Sequence, residues 1–318
     1  MSDSRIGLLA ILGTYTIWGL SALYYAQLSH VPPLEVLAHR TVWSFLAFFA
    51  VILVQGRLRD LLGVLHPRTG WSGLYRIIPA AVFVSINWFL FVYAIQIDKT
   101  LEASLAYYIS PLLAAAVGWV VFKERLSGLQ WPAMGLALCA VVILTVGLGA
   151  APWMALAMSS TFVAYSVFKK GVEAGPTLAM AAETTLLMPV SLVYLIGAHF
   201  GVWGGDAVGG GAFGTNWHDT AFLAFSGIAT GVPLLLFGVA AKRVTLSSLN
   251  IGHYYNATLQ LTVAVLIFGQ AITLPHMVAL PLVWLAVSLF SLQALRRDRQ
   301  VRMARKASVN ASIDDIVL

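Results

Sequence analysis

The sequence predicts an all-α integral membrane protein of ten transmembrane helices, arranged as two inverted five-helix repeats. Three observations predict it. Hydrophobic residues make up 59% of the 318 and charged residues only 10%, against roughly 25% charged in soluble domains. The apolar residues fall in runs of the roughly 20 residues that a helix needs to cross a hydrocarbon core. Of the 19 lysines and arginines, all but Arg40 and Lys99 stand near helix ends that would share one side of a membrane, the pattern of the positive-inside rule.

The spans follow in order. The first, about 6–28, begins after Arg5; it is too long for a secretory h-region and lacks a small-x-small cleavage site, so it is expected to stay as a helix. The second, 34–54, ends before Arg57 and Arg59, and the third, 74–97, begins after Arg68 and beside Arg76. The fourth, 101–122, ends at Lys123 and Arg125, and the fifth, 129–148, returns. The sixth, 152–168, ends at Lys169 and Lys170; the seventh, 177–199, leads into a glycine-rich stretch from Gly201 to Gly214 without lysine or arginine. That stretch lacks a Lys-Ser/Thr after its glycines, so it reads as a flexible loop and not a phosphate cradle. The eighth, 219–240, ends at Lys242 and Arg243; the ninth and tenth are 245–268 and 275–294. A tail follows, basic from Arg296 to Lys306 and then polar, which is expected to be disordered. Both termini are then cytoplasmic in a bacterial inner membrane. The dispersed basic residues, with no aromatic-interleaved patch, exclude nucleic-acid binding and suit anchoring against anionic lipid. The single cysteine, Cys139, excludes an internal disulfide and a cysteine-based metal site. No cofactor or metal motif is present.

The halves resemble one another. Thr100 to Ser127 parallels Thr245 to Thr273 with one slipped residue, and PLEVLAHR (Pro33 to Arg40) stands where PTLAMAAE (Pro176 to Glu183) stands later. Five spans per half is an odd number, so the second copy must be inverted. The charge bias agrees: Lys123-Glu124-Arg125 ends the fourth span, and its counterpart Gly269-Gln270-Ala271 has lost all charge. The organisation is therefore 1–148, 149–295 and the tail 296–318. Inverted repeats place a substrate path at the interface of the halves.

Five stretches of the first half, YTIWGLSALYY (Tyr15 to Tyr25), PPLEVLAHRTVWS (Pro32 to Ser44), SINWFLFVYAI (Ser85 to Ile95), LEASLAYYISPLL (Leu101 to Leu113) and FKERLSGLQW (Phe122 to Trp131), resemble the drug/metabolite transporter superfamily. Within it they are similar to the EamA family and its RarD-like branch, as are FVAYSVFKK (Phe162 to Lys170) and ETTLLMP (Glu183 to Pro189). Asn256-Ala257-Thr258 stands where that family often has a Gly-Pro-Thr turn. The resemblance implies ten spans in two inverted repeats and export of small metabolites, with related YddG-type proteins exporting amino acids.

Ionisable groups at membrane depth are costly and need a partner or a wet cavity. Glu35, His39 and Arg40 cluster on the second span, and Glu102 opens the fourth. They read either as charge pairs, Arg40 with Glu102 or Glu35, holding helices together, or as a gate meeting a substrate carboxylate or ammonium. Glu183 and His253 read either as hydrogen-bonded structural groups or as proton-coupling sites. The substrate-binding candidates are Trp18, Tyr25, Asn87, Trp88, Tyr107, Tyr108, Tyr165, His253, Tyr254 and Asn256. Singly, such aromatics serve as interfacial anchors; gathered near mid-span they suit an amino-acid zwitterion, which needs aromatic walls and a few polar groups. Pro111 and Pro189 are expected to break their helices. Spans five and ten carry few polar groups and are expected to face lipid or another subunit, and Gly227 with Gly231 forms a small-xxx-small pair.

The expected function is an inner-membrane secondary transporter working by alternating access, not an enzyme. Its cargo would be a small metabolite, first an aromatic or other neutral amino acid, with protons as candidate coupling ions and a monomer or homodimer as the unit. A multidrug or other metabolite exporter is the alternative within the class, and a membrane-embedded enzyme the alternative outside it.

Overall fold

The structure, a computed structural model, describes residues 3–66, 71–123, 128–149, 151–169, 172, 174–202, 211–241, 243–244 and 246–317. Arg68, Arg125, Lys170, Lys242 and residues 203–210 of the glycine-rich stretch lie outside these, with the expectations attached to them. The described residues form twelve α-helices and no strand: α1 (Asp3–Gly19), α2 (Ser21–Ala26), α3 (Pro33–Val54), α4 (Leu58–Leu65), α5 (Trp71–Gln96), α6 (Thr100–Phe122), α7 (Gln130–Leu148), α8 (Trp153–Lys169), α9 (Pro176–His199), α10 (Trp217–Ala241), α11 (Leu246–Thr262) and α12 (Leu274–Val317). Pro33 and Pro176 open α3 and α9, where a missing N–H costs nothing.

Eight spans among the described residues are long and apolar enough to cross a membrane, the first made of α1 and α2 together. The expected sixth and ninth positions are held by α8, of 17 residues, and by α11, of 17 residues continued by a π-turn at Val263–Ile267. His253, Asn256 and Gln260 lower the hydropathy of α11 because it faces a cavity more than lipid. The protein is thus an all-α multi-pass membrane protein.

Helix pairing is ordered. Along their lengths α7 meets α12, α3 meets α9, α6 meets α11, α5 meets α8, α1 meets α10, and α6 and α1 meet α8 and α11 respectively. Exchanging α1, α3, α5, α6 and α7 for α8, α9, α10, α11 and α12 turns this set of pairs into itself. A further extensive pair, α3 with α10, has a much weaker counterpart in α5 with α9; the remaining pairing is compatible with two five-helix repeats. Where α7 meets α12, Ala133, Ala140, Ala279 and Ala286 are fully buried; small residues let two backbones approach in lipid, where apolar contact alone gives no driving force. The outer faces of this pair expose Leu138, Val142, Val146 and Met277.

Four features differ from the sequence reading. The prolines Pro111 and Pro189 lie inside the continuous helices α6 and α9 and end neither. The interruption falls instead at Leu20, between α1 and α2, where the freed carbonyl of Trp18 accepts hydrogen bonds from Ser21 Oγ (2.6 Å) and Gln260 Nε2 (3.3 Å). A short helix, α4, fills the second connection; Leu58, Leu61, Leu62 and Leu65 carry its apolar face, and Leu61 is buried. Residues 296–317, expected to be disordered, continue α12. That stretch holds five arginines and three alanines and has no glycine or proline, so helix propensity prevails over polarity. Of the small-residue pair, only Gly227 is needed for space: a β-carbon there would overlap the backbone of Trp43, whereas one at Gly231 meets nothing.

Candidate substrate cavity

Between the halves lies a cavity of about 590 Å³. Its deep end is built where helices present polar groups at mid-span: Arg40 on α3, Tyr107 on α6, and His253, Asn256 and Gln260 along one face of α11. Trp18 and Ser21 at the α1–α2 interruption and Asn87 and Trp88 on α5 complete that end. From there the cavity continues past Phe162 and Tyr165 to Lys169, Val172, Ala174 and Thr177, at the end of the bundle where the basic residues gather.

The opposite end is closed by hydrogen bonds. The Tyr24 hydroxyl donates to the Phe222 carbonyl, joining α2 to α10. His30 Nε2 lies 2.9 Å from Asp219 Oδ2, and Gln96 Nε2 donates to Val31 O at 2.8 Å. The backbone N–H of Ala212 donates to Glu35 Oε1 at 2.6 Å, and Phe213 stacks on His39 at 4.8 Å, so the segment before α10 is drawn over the start of α3. Leu101 N donates to Gln270 Oε1 at 2.7 Å, tying α6 to the turn after α11.

Arg40 is the unusual group. It is 7% exposed, and among the described residues no carboxylate lies within 4 Å of its guanidinium. Its Nε donates to Thr230 Oγ1 at 2.8 Å, its plane lies 3.5 Å from the Trp88 ring centroid, and the Tyr25 hydroxyl is beside it. Both expected charge pairs are therefore corrected. Glu102 pairs with Lys99 at 2.8 Å, one turn away on its own helix. Glu35 is held by Ala212 and stands 4.0 Å from His39. The reason is packing: α3 runs beside α9, α10 and α5, so a carboxylate opening α6 cannot reach it.

Seven of the ten substrate candidates line the cavity: Trp18, Asn87, Trp88, Tyr107, Tyr165, His253 and Asn256. Three do not. Tyr25 packs behind Arg40 against Trp88 and Phe91. Tyr108 and Tyr254 stack on each other at 6.5 Å on the far side of α6 and α11, where the Tyr108 hydroxyl meets Thr258 Oγ1 at 2.8 Å. Of the two proton-coupling candidates, His253 sits among the rings of Tyr15, Tyr107 and Phe162, at centroid distances of 6.0, 5.7 and 5.9 Å. Glu183 is buried and pairs with Lys169 at 2.8 Å, while its Oε2 has no partner. It lines a second pocket of about 30 Å³, shared with Arg40, Ser44, Trp88 and Thr230.

The sequence reading missed Tyr15, Phe162, Gln260 and Lys169. Gln260 carries a legible signal, since positions 253, 256 and 260 recur at the spacing of one helix face. Lys169 does not: a lysine in the last turn of a span reads as an interfacial charge until the neighbouring helix brings a carboxylate to it.

The chain is similar to known membrane transporters. The model of the EamA-like transporter family matches residues 5–146. An uncharacterized transporter of Vibrio cholerae is 34% identical, covering 95% of this chain and 97% of its own. Protein RarD of Streptomyces exfoliatus is 35% identical over 96% of this chain and 95% of its own. A crystal structure at 20% identity superposes with a TM-score of 0.56 over 92% of this chain and 99% of that one, a likeness of fold alone. On the family match and on relatives 34–35% identical over nearly its whole length, the chain belongs to the EamA-like transporter family, in its RarD-like branch.

Proposed function

We propose that this transporter exports small amphipathic metabolites from the cytoplasm across the bacterial inner membrane, with aromatic or other apolar amino acids as its first substrates. The observation that carries the reading is Arg40: a buried guanidinium without a carboxylate partner, at the deep end of an aromatic cavity. A guanidinium offers two parallel N–H donors that match a carboxylate. Leaving it unpaired in the protein reserves it for a ligand, whose apolar side chain would lie among Trp18, Tyr107 and Phe162. Charge bias supports a cytoplasmic position for the basic end of the bundle, and with it for both termini. The cavity then faces the side from which an exporter loads. Alternating access would close that end and open the other, and Glu183, with one free oxygen, is the site at which a proton would couple.

A second reading has one observation in its favour. The cavity volume falls among those of drug-sized ligands, roughly 300–1,000 Å³, so a larger amphipathic compound would also fit.

The test is uptake by purified protein in liposomes, with a panel of labelled amino acids, with and without an imposed pH gradient, beside Trp18→Ala and Arg40→Ala. Saturable uptake lost in both variants supports the reading; no uptake of any amino acid by folded protein sinks it and moves the search to larger compounds. Uptake indifferent to the pH gradient removes the role for Glu183.

A further inference from the structure

The geometry points to Gln260 as the subsite for the substrate's ammonium group, a neutral acceptor that works opposite the cation Arg40. The inference rests on the reading of Arg40 as the carboxylate anchor. Gln260 is 1% exposed and on the cavity wall. Its amide orientation is set by its neighbours: Nε2 faces two acceptors, the Trp18 carbonyl and Asn256 Oδ1, each at 3.3 Å. The reverse orientation would put Oε1 against both. Oε1 is therefore the free atom, and it is buried without any partner. A buried acceptor left unpaired costs about as much as a lost hydrogen bond, so the site favours a donor at that point.

The surroundings select which donor. The Tyr107 hydroxyl is beside Gln260 and within electrostatic reach of Arg40. Tyr15, Trp18 and Tyr107 line the same cavity, and aromatic rings attract a cation. Trp18 Nε1, also unpartnered, is a second donor for the carboxylate. An α-amino acid carries an ammonium one carbon from a carboxylate, so a single molecule presents both groups to this wall. Because the acceptor is neutral, the ammonium is recognised without being held as an ion pair, and a diamine, repelled by Arg40, is refused.

The experiment is binding to the full chain in nanodiscs, by calorimetry, with phenylalanine and with phenylpropionate, which lacks only the ammonium. Taking the ratio of the two affinities on one preparation cancels any inactive fraction. The parent should prefer phenylalanine by roughly tenfold or more, the worth of a hydrogen bond to a charged group. Gln260→Met should bring the ratio near unity by weakening phenylalanine alone, and Gln260→Glu should widen it beyond the parent's. A ratio unchanged in Gln260→Met overturns the inference. Equal affinities in the parent also overturn it, while leaving the carboxylate site at Arg40 standing. Binding of neither compound would remove the Arg40 reading and the subsite together.

Discussion

Replacing Arg40 by methionine should separate stability from function. Three interactions are lost within the protein: the charged hydrogen bond to Thr230 at 2.8 Å, the stacking on Trp88 at 3.5 Å and the hydrogen bond with the Tyr25 hydroxyl. The first contributes about 1.5–3 kcal/mol and the second about 2 kcal/mol when desolvated. Against them stands the burial of a guanidinium with no counter-charge, which costs several kcal/mol. Methionine keeps the apolar stem and fits irregular space. The opposing terms are of similar size, so Arg40→Met should melt within about 2 kcal/mol of the parent, or above it. Binding should respond differently. Two charge-assisted hydrogen bonds to a carboxylate are worth at least about 3 kcal/mol, which is roughly a hundredfold in affinity. Arg40→Lys keeps the charge but loses the planar fork and the stacking, so it should also bind weakly. Thermal unfolding in detergent and calorimetric titration with phenylalanine measure the two quantities on the same samples. Parent-like affinity in Arg40→Met refutes the anchor. A collapse of stability refutes the argument that the charge is held for a ligand and makes Arg40 a structural residue.

The Lys169–Glu183 pair should behave in the opposite way: Lys169→Met strands a buried carboxylate and should cost about 3–5 kcal/mol, and adding Glu183→Gln should recover most of it, read as a double-mutant cycle in thermal unfolding. Gly227→Ala should destabilise by about 1–3 kcal/mol through overlap with the Trp43 backbone, while Gly231→Ala, with open space around it, should match the parent in the same melts. A reducible bifunctional thiol cross-linker joining Val84→Cys to Met180→Cys, which face the cavity from α5 and α9, should abolish uptake until it is cleaved, in a Cys139→Ala background.

Much of this is legible in the sequence. A helix that must cross lipid shows its length in the chain, and the repeat located α11 where hydropathy alone would have hidden it. Polar and aromatic residues at mid-span, Trp18, Asn87 and Asn256 among them, were sound pointers to a cavity, since such groups are tolerated there only beside water or each other. What stayed hidden was direction. Tyr107 and Tyr108 are adjacent, yet one helical step turns the first to the cavity and the second to Thr258; nothing local distinguishes them. His253 and Tyr254 part in the same way. Charge partners depend on which helices touch, and that decided between Glu102 and no partner for Arg40. Pro111 and Pro189 misled because a proline inside a transmembrane helix removes one hydrogen bond without ending the helix when side chains and neighbouring helices compensate.

The contacts between the halves also bear on how the cavity could change sides. Under exchange of the halves, the pair α3–α10 corresponds to α9–α5, yet the two are not equal: α3 packs along α10, whereas α9 and α5 touch far less. Space stands between α5 and α9, where Val84, Trp88, Met180 and Glu183 line the two pockets. Contact stands between α3 and α10, where Gly227 lies against the Trp43 backbone and Arg40 bonds Thr230. If the halves trade these arrangements, opening the closed end means parting α3 from α10. Two contacts must then yield, and one of them is the Arg40–Thr230 bond. A carboxylate competing for the Arg40 guanidinium weakens that bond as it binds. A ligand can shift a conformational equilibrium only by binding the two states unequally. Arg40 meets that condition, because its internal partner belongs to the helix that has to move and its external partner would be the cargo. On the proposed reading of Arg40, the residue that recognises the substrate would be one that also holds the gate shut in its absence.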